Sequence, residues 1–60
     1  MMTRKHYKAI AEALRAERAS LRDTYQAMVV GSIAERLATV FTGDNPRFDR
    51  ERFLRACRGE

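Results

Sequence analysis

The sequence has one cysteine, Cys57, and one histidine, His6, which lie at opposite ends of its 60 residues. A lone cysteine excludes a disulfide within the chain and suits a reducing compartment. A structural zinc site needs about four cysteine, histidine or carboxylate ligands at defined spacings, so we expect no metal and no cofactor. Catalysis would need a nucleophile, a base and an orienting group that converge, and the sequence offers no such set. We therefore expect this protein not to be an enzyme.

Long apolar runs are also missing. The longest nearly apolar stretch, residues 27–33, is far shorter than the ~20 residues that span a bilayer, and no segment resembles a signal peptide. The sequence thus predicts a soluble, cytoplasmic protein that makes no membrane contact. A chain this short buries only about 60% of its unfolded surface. Because neither a disulfide nor a metal is expected to compensate, we expect self-association to stabilise the fold.

Apolar periodicity predicts three helices in a single domain that covers residues 1–60. They cover about residues 4–18, 24–42 and 49–58. A break is expected at residues 19–23; since neither Gly nor Pro occurs there, one continuous helix is the alternative. The predicted fold class is all-α: two main helices plus a short C-terminal helix, forming a small helical bundle completed by homo-oligomerisation.

Local signals predict where the second helix ends and the third begins. Gly43 is expected at the first position after the second helix, and residues 44–46 (Asp-Asn-Pro) cannot continue it. Asp49 is the candidate N-cap of the third helix. Phe48 and Phe53, just before and within that helix, have the spacing of a hydrophobic staple.

The second helix is apolar around most of its circumference, so two short flanking helices of one chain are too few to cover it. A row of small residues, at spacings of three and four, allows another helix to approach closely; it comprises Ala27, Gly31, Ala34 and Ala38. We expect the second helix to pair with its own copy, the alternative being that another helix of the same chain lies along the row. The residues predicted to form the oligomer interface or core are Val30, Gly31, Ile33, Ala34, Leu37, Val40 and Phe41.

Both ends of the chain are basic, and the net charge is +4. Residues 1–22 hold six basic and two acidic side chains (+4), residues 23–46 hold one and three (−2), and residues 47–60 hold five and three (+2). Basic clusters suit anionic ligands, and arginine suits planar contacts with phosphate. The residues predicted to bind an anion are Arg4, Lys5, His6, Tyr7, Lys8, Arg47, Arg50 and Arg55. The alternative is that these clusters are solvated helix faces and that Tyr7 belongs to the core.

Two parts of the chain carry a resemblance. The opening RKHY and IAEAL (residues 4–7 and 10–14) and the more specific closing DNPRFDRERFLRAC (residues 44–57) cover a little under half of the sequence. They resemble small uncharacterised proteins encoded by tailed bacteriophages and prophages. The resemblance implies a phage origin and the cytoplasm of a host cell as the setting, and it carries over no catalytic residue.

Charge and resemblance together predict an accessory protein that acts by binding in host takeover or counter-defence. Its partners would be copies of itself and an anionic ligand, either a nucleic acid bound through its phosphates or a small nucleotide such as an immune messenger of the host. The alternative is an interaction module that docks on a host protein and inhibits it, since one apolar surface can serve either purpose.

Overall fold

The computed structural model describes residues 2–60 and contains three α-helices. They are α1 (Arg4–Ser20), α2 (Thr24–Asp44) and α3 (Arg50–Cys57). The predicted all-α class is confirmed, because the described residues form three helices and no strand. Each helix packs against the other two. At the usual rise the helices are about 26, 32 and 12 Å long, so α3 is much shorter than the pair on which it lies.

The junction between α1 and α2 is a sharp break. α1 ends at Ser20, two residues later than expected, where Leu21 turns to an extended conformation (φ −90°, ψ 135°). Asp23 then caps α2, its carboxylate accepting a hydrogen bond from the backbone N–H of Tyr25 at 2.7 Å. Aspartate is favoured there because its side chain satisfies an amide that has no partner within the helix. The continuous-helix alternative is therefore wrong.

The end of α2 differs from the prediction. The helix continues through Gly43 to Asp44, and Gly43 does not have a positive φ; among the described residues only Gly59 does (φ 83°). Asn45, with φ −141° and ψ 109°, is the first extended residue. It precedes Pro46, whose ring disfavours a helical conformation in the residue before it. The prediction that Gly43 ends the helix is wrong because the proline supplies the stop.

The start of α3 follows its local sequence signals. The Asp49 carboxylate accepts a hydrogen bond from the backbone N–H of Arg52 at 3.0 Å, which confirms the predicted N-cap. The rings of Phe48 and Phe53 lie 5.5 Å apart, which confirms the predicted staple. The staple fixes the direction in which the chain enters α3, and so directs the helix back across α1 and α2.

Four aromatic rings join the three helices. Tyr7 of α1, Phe41 of α2, Phe53 of α3 and Phe48 of the connecting turn form five ring pairs with centroids 4.7–5.5 Å apart. Such tilted and edge-on pairs contribute about 0.5–1.5 kcal/mol each beyond the area they bury. We call these four residues the aromatic cluster. The rest of the buried core consists of small side chains that let the helices approach closely: Ala11, Ala34, Ala38 and Cys57.

Candidate binding surfaces

One side of α2 keeps large apolar side chains in contact with solvent. Five of them are between 43% and 74% exposed: Tyr25, Met28, Val29, Ile33 and Val40. At 100° per residue these positions fall within a sector about 140° wide, so they form one continuous strip along the helix. We call this strip the α2 face. A 60-residue chain that leaves five large apolar residues exposed on one helix has a surface suited to contact with another apolar surface.

The α2 face carries little charge. α2 contains three charged residues, Glu35, Arg36 and Asp44, and therefore has a net charge of −1 within a chain of +4. Only Arg36 lies within the sector of the α2 face. The rest of the molecule has a net charge of +5, so two copies repel each other least when they approach through α2.

The predicted interface or core residues divide between two sides of α2. Ile33 and Val40 lie on the α2 face. Ala34 and Phe41 are buried by α1 and α3, and Leu37 packs against the same core from a half-buried position. The prediction that a copy of α2 lies along the small-residue row is wrong, and the alternative holds, because the chain's own helices already cover Ala34 and Ala38. The row therefore does not lie on the α2 face. Val30 and Gly31 are half-buried and line the cleft described next.

A cleft opens where α3 ends. Because α3 extends only about 12 Å, it fills part of the groove between α1 and α2 and leaves the remainder open. The open part has a volume of about 530 Å³. Its lining includes small or apolar residues of α2 and α3, which we call the floor, among them Ala27, Gly31, Ala34, Leu54 and Cys57. Three arginines also line it, one from each helix or its end: Arg18, Arg36 and Arg58. We call this site the arginine cleft.

The arginine cleft is electropositive. Within residues 2–60, no carboxylate lies within 4.0 Å of the guanidinium groups of Arg18 and Arg36, whereas Arg58 pairs with Glu60 at 3.0 Å. Glu35 is the single acid in the lining. Its carboxylate lies 3.8 Å from the guanidinium of Arg50, outside the lining, which offsets part of its charge. Three bases against one acid leave the cleft with a formal charge of +2.

The sequence-predicted anion-binding residues lie elsewhere. Of the basic residues among them, Arg4, Lys5, Lys8, Arg47 and Arg55 are exposed on the outer surface. The ring of Tyr7 lies 4.7 Å from that of Phe48, which places the start of α1 and the turn before α3 at the same end of the molecule. The eight predicted residues nevertheless contribute nothing to the lining of the arginine cleft.

Three of the predicted residues already have partners within the chain. His6 accepts a hydrogen bond at Nδ1 from the backbone N–H of Thr3 (3.1 Å), and thereby caps α1. Arg50 donates to the hydroxyl of Thr39 at 3.1 Å and so faces α2. Tyr7 is buried in the aromatic cluster, in agreement with the alternative that assigns it to the core. These contacts give His6, Tyr7 and Arg50 structural roles.

Cys57 is a packed core residue. Its side chain is buried in the hydrophobic core. Burial raises the pKa of the Cys57 thiol, and the nearby positive charge of Arg58 only partly opposes this effect. A thiol with a raised pKa is a poor nucleophile, because the thiolate is the reactive form.

The arginine cleft depends on tertiary structure that sequence patterns do not show. Arg18 and Arg58 each lie near the end of a helix, where a basic residue commonly interacts with the helix dipole. The one available signal was the short length of α3 compared with the two helices beside it, because a short helix cannot fill a long groove.

No protein family, curated protein or solved structure matches the chain. Across residues 2–60, no helix is long and apolar enough to cross a membrane. In the same part of the chain, no three His, Cys, Asp or Glu side chains come together as ligands for a metal ion.

Proposed function

We propose that this protein acts by binding rather than by catalysis, and that two copies pair through the α2 face. The observation that carries the proposal is the exposure of Tyr25, Met28, Val29, Ile33 and Val40 along one helix. Contiguous apolar patches larger than a few hundred Å² are uncommon on monomeric proteins and mark interaction sites. Pairing through the α2 face would cover five large apolar side chains on each copy, towards the roughly 1,000 Å² that a specific interface buries in total.

An antiparallel arrangement suits the pattern of the α2 face. With a two-fold axis between Ser32 and Ile33, Tyr25 lies opposite Val40 of the second copy, and Val29 lies opposite Arg36 of the second copy. A parallel pair in register would instead place the two Arg36 side chains next to each other, and like charges at close range are unfavourable. The antiparallel pair also aligns the two helix dipoles in opposite directions. We therefore propose an antiparallel, symmetric dimer.

Analytical ultracentrifugation over a range of concentrations tests the assembly. We expect the wild-type chain to reach a dimer and Ile33→Glu to remain a monomer, because the substitution places a charge at the centre of the buried contact. The matched control is Ala13→Glu, which adds the same charge at an exposed position of α1 and should leave the dimer intact. Circular dichroism should show the same helix content in all three proteins.

A wild-type chain that stays monomeric at every concentration would contradict the proposed pairing. The same α2 face would then favour docking on a host protein, the alternative function. In that case a pull-down from host extract should recover a partner with the wild-type chain and lose it with Ile33→Glu.

The phage setting, and with it a role in host takeover or counter-defence, stays a prediction from the sequence resemblance. A second candidate activity, the binding of an anionic ligand, is favoured by the arginine cleft. The cleft brings together arginines from α1, α2 and the end of α3, whereas most of the predicted basic residues lie on open surface.

A further inference from the structure

We infer that the arginine cleft binds a small phosphate-bearing molecule with a planar part, of the nucleotide class. The inference rests on the proposal that the protein acts by binding. A single chain supplies the whole lining, but Met28 and Arg36 also lie on the α2 face, so ATP binding is measured on the Ile33→Glu variant as well as on the wild type.

Three arginines give the arginine cleft its positive charge. Arg18, Arg36 and Arg58 line the same open groove, and two of them, Arg18 and Arg36, have no carboxylate within 4.0 Å in residues 2–60. A guanidinium group offers a planar set of donors that matches two phosphate oxygens at once. A ligand with two or more phosphate charges would neutralise the formal charge of +2 in the lining.

The arginine cleft also has room for a ligand. The volume of about 530 Å³ falls within the range of sites that hold small organic ligands. The floor is apolar, so a planar ring can lie on it while the phosphates face the arginines. Gly31 opens the floor further, because a Cβ at this position would meet no atom within 4 Å.

The concave form of the site distinguishes it from a surface for duplex DNA. Duplex binding is dominated by basic groups that follow the phosphate backbone along an open surface or enter a groove on a protruding element. The three arginines instead line a recess beside the end of α3. By contrast, Arg4, Lys5 and Arg47 are exposed on the open surface, as residues that contact duplex DNA would be.

Two-dimensional ¹⁵N NMR titration with ATP, at one fixed ionic strength, tests the inference. We expect saturable shifts at the amides of Gly31, Leu54 and Arg58. Arg18→Gln should weaken ATP binding about tenfold, the usual effect of losing one charge-assisted contact. Arg47→Gln is the matched control, since it removes the same charge from a sequence-predicted position outside the cleft, and it should leave the affinity unchanged.

Gly31→Leu is an independent test of shape. The space around this position lets the variant fold, and the new side chain would cover the floor and abolish ATP binding while α2 remains helical by circular dichroism. Both experiments are repeated on Ile33→Glu, so that loss of the dimer and loss of the cleft are observed separately.

Three results would overturn the inference. One is the absence of saturable shifts in the cleft. Another is that inorganic triphosphate binds as tightly as ATP, because this would show that contact between the floor and the adenine ring adds no affinity. The last is binding of a short DNA duplex alone, with Arg47→Gln weakening it as much as Arg18→Gln.

Discussion

The hydroxyl of Tyr7 offers a test of the core at the level of one atom. The Tyr7 side chain is only 8% exposed, and its Oη atom has no hydrogen-bond partner within residues 2–60. The ring itself packs well, at 5.0 Å from the ring of Phe41 and 4.7 Å from that of Phe48. Tyr7→Phe keeps these ring contacts and removes only the buried polar atom.

The expected size of the effect follows from these contacts. Leaving a buried hydroxyl without a partner costs about 1–3 kcal/mol. Removing the hydroxyl removes that cost. Part of the gain is offset, because the folded protein loses the dispersion contacts of one oxygen atom and keeps a small void in its place. We therefore expect Tyr7→Phe to raise the free energy of unfolding by about 1 kcal/mol, which shifts the melting temperature of a domain this size by roughly 4–8 °C.

Urea denaturation followed by circular dichroism measures this effect, and it should be run on the Ile33→Glu background so that assembly does not contribute. Tyr25→Phe is the matched control: Tyr25 is 74% exposed, so loss of its hydroxyl should change the free energy of unfolding by less than about 0.5 kcal/mol. A Tyr7→Phe variant less stable than the parent would refute the reasoning, because it would show that the hydroxyl has a partner in the folded protein.

Two further predictions concern α3. Asp49→Ala removes the acceptor for the backbone N–H of Arg52 and should lower the free energy of unfolding by about 1 kcal/mol, whereas Asp49→Asn should preserve most of it, as urea denaturation would show. The pKa of the Cys57 thiol is raised in the folded protein, so the thiol of the unfolded chain ionises first as the pH rises. The contribution of the neutral thiol to stability is therefore complete below the ordinary pKa of 9.0 and is lost as the pH rises through the pKa of the folded protein. Urea midpoints measured across that range should therefore fall more steeply with pH for the wild type than for Cys57→Ala; equal slopes would contradict the prediction.

Local signals in the sequence predicted the α3 start well. The Asp49 cap and the contact between Phe48 and Phe53 each depend on residues at most five positions apart, so tertiary structure has little opportunity to alter them. The Gly43 prediction failed for a local reason as well. Gly43 and Pro46 are two competing stop signals. Pro46 restricts the backbone of Asn45 whatever residues precede it, whereas glycine permits a left-handed conformation without requiring one.

The apolar pattern of α2 was harder to interpret, because hydrophobicity does not show which neighbour covers a residue. Ala34 and Ala38 proved to contact the chain's own helices, whereas Ile33 and Val40 remained exposed on another side. All four residues fit a helix with wide apolar coverage. Which of them are buried depends on where α1 and α3 lie, and that depends on contacts between residues far apart in the chain.

The sequence by itself determined that the chain folds into three helices and that the third is short, because periodicity, capping residues and proline act over a few neighbouring positions. Only the tertiary structure decided which side of α2 faces solvent. It also decided that Arg18, Arg36 and Arg58 share one cleft while the more obvious basic clusters stay apart from it. The physical reason is a difference in length: an α3 of eight residues lies against helices of 17 and 21, and the groove that it leaves uncovered exists only once all three helices are packed together.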